Sequence, residues 1–152
     1  MSKKAIASDA ELILKLYDLR REPEMRKARN WMLMEFWPKN ADEFVKVANA
    51  MGTQENAWLR QVGGYWDMAA AMVVHGAINA DLFLEAGVSG EMVFLYAKLQ
   101  PMLKEVRKKL NSPTLMGNVE RVITENKSGR ERLKIVSARV ESRLKAMAES
   151  KS

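Results

Sequence analysis

The stretch from Thr53 to Gly76 constrains this chain more than any other part of it. It opens on a helix-capping residue, carries Trp58, Val62, Tyr65 or Trp66, Ala69, Met72 and Val73 at helical spacing, and closes on a glycine. That period gathers the apolar side chains on one side of a helix. Its second half, Gly63 to Gly76, is nearly all apolar, so it is expected to be part of a buried central helix. Gly63 and Gly64 fall mid-helix, where each costs about 1 kcal/mol relative to alanine. They imply either close packing of another element or a bend.

The rest of the chain punctuates helices in the same way. No run sustains a period of two, and the sequence has only 4 prolines. Ser8 with Glu11 makes a capping-box pattern ahead of Leu12, Leu16 and Leu19. Pro23 suits the first turn of a second helix reaching about Trp37, with Met25, Ala28, Met32 and Phe36 in one stripe. Asn40 starts a third helix that Gly52 stops, and Asn79 a short fifth that Gly87 stops. Ser89 caps a sixth, which Pro101 is expected to kink. The expected fold is all-α: a compact bundle of about six helices over residues 1–111, then a long helix or helix pair over 112–152.

Charge divides the chain at nearly the same place. Residues 31–100 hold four Lys/Arg against eight Asp/Glu, while residues 101–152 hold thirteen against six. No aromatic residue follows Tyr96. The basic end carries Leu115, Val119, Val122, Asn126, Gly129, Leu133, Val136, Val140, Leu144 and Met147 at steps of three and four, close to a heptad seam. Asn126 stands where a polar residue often fixes register, and Gly129 marks a possible break near Lys127-Ser128-Gly129.

Two segments carry a family resemblance. One runs from Leu16-Tyr17-Asp18-Leu19-Arg20-Arg21-Glu22-Pro23 to Trp31, the other from Tyr65 through Val74-His75-Gly76-Ala77-Ile78-Asn79-Ala80-Asp81-Leu82-Phe83. They resemble a bacterial family of helical domains without assigned function. The resemblance implies an all-helical fold and brings no activity with it. Members of that family often carry a membrane segment, whereas this sequence has no apolar run of the ~20 residues that a span requires.

Candidate sites are few. The absence of cysteine excludes disulfides, thiolate metal sites and cysteine nucleophiles, and fits the reducing cytoplasm expected for this chain. His75 is the single histidine and has no partner at ligand spacing, so it is expected to serve the helix end, and no metal or cofactor is expected. Asp67 is expected to pair with an arginine or cap a neighbouring helix. Arg20, Arg21, Arg26 and Arg29 form a possible anion-binding cluster across a helix turn. Trp31, Trp37, Trp58 and Trp66 are the possible lining of an apolar pocket. No phosphate loop, nucleophile elbow or metalloprotease motif is present.

These features point to a non-enzymatic interaction module. It is expected to self-associate or dock a protein partner through Leu115, Val119, Val122, Asn126, Leu133, Val136, Val140, Leu144 and Met147. The alternatives are nucleic-acid binding by the basic ends and small apolar-ligand binding in a tryptophan-lined pocket. A terminal segment folded back on its own domain accounts for the seam equally well.

Overall fold

The polypeptide is organised around α4 (Gln54–Val74), the helix expected from the sequence, in a computed structural model that describes residues 3–151. Thr53 caps it by accepting from the Asn56 backbone N–H. At its other end Gly76 takes the left-handed conformation at φ 81°. Gly76 N–H then bonds the Val73 carbonyl and Ala77 N–H the Met72 carbonyl, which is a Schellman closure. Helical assignment runs unbroken through Gly63 and Gly64.

Five further helices surround it before residue 112, as expected. Helix α1 spans Ala7–Leu19, α2 Pro23–Asn30, α3 Ala41–Asn49, α5 Ala80–Phe83 and α6 Ala86–Lys109. Asn40 and Asn79 cap α3 and α5 with their side-chain oxygens. The start of α1 differs from the Ser8–Glu11 pattern. Asp9 is buried there, and its carboxylate accepts from Ile6 N–H and, across the fold, from Asn79 N–H, both at 2.8 Å. One carboxylate satisfying two segments outweighs an exposed local serine cap.

Helix α2 passes into a π-turn over Trp31–Glu35, closed by Phe36 N–H on the Trp31 carbonyl. The stripe Met25, Ala28, Met32 and Phe36 is buried along its whole length. The non-helical point inside α6 is Ser89, at φ −127°, the residue expected to open the sixth helix, and the backbone torsions are helical through Pro101. Pro101 is exposed, and the helical backbone continues past it.

The C-terminal segment is a helix pair, α7 (Gly117–Glu125) and α8 (Lys127–Glu149), separated at Asn126 by extended backbone. Helix α7 packs on α4 and α8 on α6, so the pair folds back on its own body. Gly129 makes the α7–α8 corner. A Cβ there would lie 2.3 Å from the Ile123 carbonyl oxygen, so the backbones meet at a distance that only glycine permits.

Candidate functional site

The residues singled out by sequence take mostly structural posts. Asp67 caps a neighbouring helix: its Oδ1 accepts from the Asn118 and Val119 N–H groups and its Oδ2 from the Asn118 side chain. Met116, the residue before α7, offers no side-chain cap, so the carboxylate on α4 serves instead. His75 is exposed at the C-terminal end of α4.

The arginine cluster divides. Arg29 Nε donates to both oxygens of Glu91 and its Nη1 to the Arg20 carbonyl. Arg20 Nη1 donates to the Val88 carbonyl, and the guanidinium lies 5.0 Å from the Tyr17 ring and 5.4 Å from Trp66. Both side chains are thus occupied in holding α6 against α1 and α2, while Arg21 and Arg26 are exposed. The tryptophans divide as well. Trp31 stacks on Phe36 and neighbours Trp58, Trp37 meets Phe94 edge-on, and Trp66 packs with Tyr65. They do not line one pocket.

The seam is largely absorbed by the core. Val119, Val122, Val136 and Val140 are buried, Leu115, Leu133 and Met147 are half-buried, and Leu144 is exposed. Asn126 Nδ2 donates to the Val122 carbonyl and so finishes α7.

A groove of about 490 Å³ lies open between the π-turn, α6 and α8. Its floor is apolar: Leu33, Trp37, Val93, Phe94 and Val136, with Met34 and Ile135 more than half exposed beside it. Arg132, Arg139 and Arg143 line it from α8. Arg132 reaches Glu85 at 3.7 Å, whereas Arg139 and Arg143 form no ion pair among the described residues. Glu91, the acidic residue of the lining, is engaged by Arg29 and by Trp66 Nε1.

Beneath this groove lies a residue that sequence reasoning missed. Lys98 is buried, and its Nζ donates to the carbonyls of Phe36, at 2.8 Å, and Met32. The π-turn and the exit of the chain at Phe36 leave these two carbonyls without helical partners. The ammonium also sits 4.8 Å from the Trp37 ring centre and 5.9 Å from Phe94. Burial pushes its pKa down to about 7. A lysine inside an apolar helical stripe is the one signal that marked it. The Trp37 Nε1 and, more than two turns before Lys98 on α6, the Ser89 Oγ are buried without a hydrogen-bond partner among the described residues.

Among the described residues, no group of three or more His, Cys, Asp or Glu is placed to hold a metal ion. No helix among them is long and apolar enough to cross a membrane.

The fold is therefore that of an all-α domain whose accessible features are a basic-rimmed apolar groove and a helix pair laid across a central helix. The chain belongs to the family described as Domain of unknown function (DUF4760), whose profile matches residues 5–125. That match takes in both resembling segments and all of α7, and stops at the Asn126 break. No curated protein and no solved structure matches the chain.

Proposed function

We propose that this protein is a non-enzymatic interaction module of the cytoplasm that docks an acidic amphipathic helix in the groove between the π-turn, α6 and α8. The observation that carries this reading is the pairing of an apolar floor with Arg139 and Arg143, which have no acidic partner among the described residues. A helix laid in such a groove buries its apolar face on Trp37, Phe94 and Ile135 and sets carboxylates against the arginines. Charge favours this occupant over a second copy. Helix α8 holds seven Lys/Arg against three Asp/Glu, so two such faces repel. The apolar floor favours it over a nucleic acid, whose backbone needs cations without a hydrophobic bed.

The test places photoreactive benzoylphenylalanine at Ile135, and at exposed Met51 after α3 as a control, in living cells. The expected result is one protein adduct from Ile135, joined through an acidic peptide and lost when Arg139→Glu and Arg143→Glu are combined. An adduct with a second copy, with nucleic acid, or equally from Met51 overturns the reading.

A further inference from the structure

We propose that the open apolar pocket beside Gly63 and Gly64 is a binding site for an aliphatic carboxylate, with its chain between α3, α4 and α6 and its head at the exposed Arg60. The pocket measures about 270 Å³ and belongs to a different part of the molecule from the groove. It exceeds the ~150 Å³ that accepts benzene in an engineered protein and approaches the ~300 Å³ at which natural ligand pockets begin. Its walls are apolar: Phe44 from α3, Val62 from α4, Leu95 and Leu99 from α6, and Leu115 and Met116 from the segment before α7.

The two glycines explain why this space exists. Glycine inside a helix is penalised unless a close contact or a bend requires it. Neither applies. Helix α4 runs unbroken past them, and a Cβ at either position would meet nothing within 4 Å. What they provide is volume. The segment opposite is held from collapsing into it. Arg107 Nε donates to the Leu115 carbonyl at 2.9 Å, and Asp67 secures Asn118 and Val119. Met116 is kept in the left-handed region at φ 55°, a conformation a large side chain adopts only when its surroundings impose it.

The polar chemistry of the lining is equally specific. Arg60 is its one charged residue, and no carboxylate lines the cavity. Arg60 Nε donates to Asn56 Oδ1 at 3.0 Å, which orients the guanidinium, and no acidic side chain pairs with it among the described residues. An apolar chain ending in one anionic group matches both halves of this surface.

Calorimetric titration of the full chain with hexanoate, octanoate and decanoate, below their micellar concentrations, tests the site. Affinity is expected to rise about fourfold per methylene until the cavity is full. Gly63→Leu is expected to abolish binding while preserving thermal stability. Should that variant not fold, Gly63→Ala is expected to weaken octanoate several-fold. Arg60→Met is expected to weaken octanoate about tenfold and leave octanol unchanged. No heat from any ligand at millimolar concentration, or binding indifferent to the glycine variants, overturns the site. Loss of octanol and octanoate alike in Arg60→Met overturns the head-group assignment.

Discussion

Two glycine sites in this protein, a single residue and an adjacent pair, do opposite things. Gly129, on α8, is closed against the Ile123 backbone, so that hydrogen is the only side chain the corner accepts. Gly63 and Gly64, on α4, touch nothing at all through a Cβ. In sequence the two sites look alike, as glycine inside a helical pattern. The difference teaches that a helical glycine has two distinct uses: to let backbones meet, or to keep them apart and leave room. Only the three-dimensional surroundings tell which.

The largest expected effect breaks the corner. Gly129→Ala forces a Cβ onto a carbonyl oxygen that cannot move without moving α7. Overpacking of this kind costs about 3 kcal/mol, a fall of roughly 10 °C in Tm by calorimetry. An unchanged Tm would erase the contrast.

Next comes Lys98→Met, which keeps the length of the side chain and removes its donors. It leaves the Met32 and Phe36 carbonyls unsatisfied, at about 2 kcal/mol near neutral pH by urea unfolding. It also sharpens the comparison through pH. The folded-state pKa of Lys98 is about 7, below its ordinary 10.5, so the unfolded chain binds more protons between those values. The contribution of this group to stability therefore rises as pH increases from about 7 to 10.5, and the variant lacks that rise. The cost of Gly129→Ala should be flat over the same range, because its obstruction is steric.

Asp67→Ala removes the carboxylate that caps α7 and is expected to cost about 1–2 kcal/mol, with the loss of amide protection concentrated in α7. The smallest effect has the opposite sign. Gly64 is exposed and its missing Cβ faces open space, so Gly64→Ala should stabilise by up to about 1 kcal/mol. A destabilising result there would mean that the two glycine sites are alike after all.

The signals written locally were legible in the sequence, and those that depend on distant partners were not. Pro23, Asn40, Thr53, Gly76 and Asn79 act within one helical turn, and each ends or begins an element where the sequence places it. The six-helix body and the family resemblance follow from such signals, while the choice between one C-terminal helix and a pair stayed open. The capping of α1 by Asp9 and the π-turn over Lys98 do not, because each involves a segment far along the chain. The groove was legible in part. Trp37 and Val136 stood among the expected site residues, but their meeting with Arg139 and Arg143 depends on how α8 crosses α6. The periodicity of the seam was visible, while its burial required knowing that α7 lies on α4.

The clasp between Asp67 and α7 also has a consequence for the order of folding. Its partners lie 51 and 52 residues apart along the chain, so closing it carries the entropy of a long loop. Helix α7 has 9 residues and no side-chain cap of its own, too short to persist before the body offers a carboxylate. Helix α7 is therefore expected to be stable only against a central helix that is already in place. Helix α8, whose corner is built on the α7 backbone, must follow it. Amide exchange is therefore expected to open α7 and α8 before the central helix.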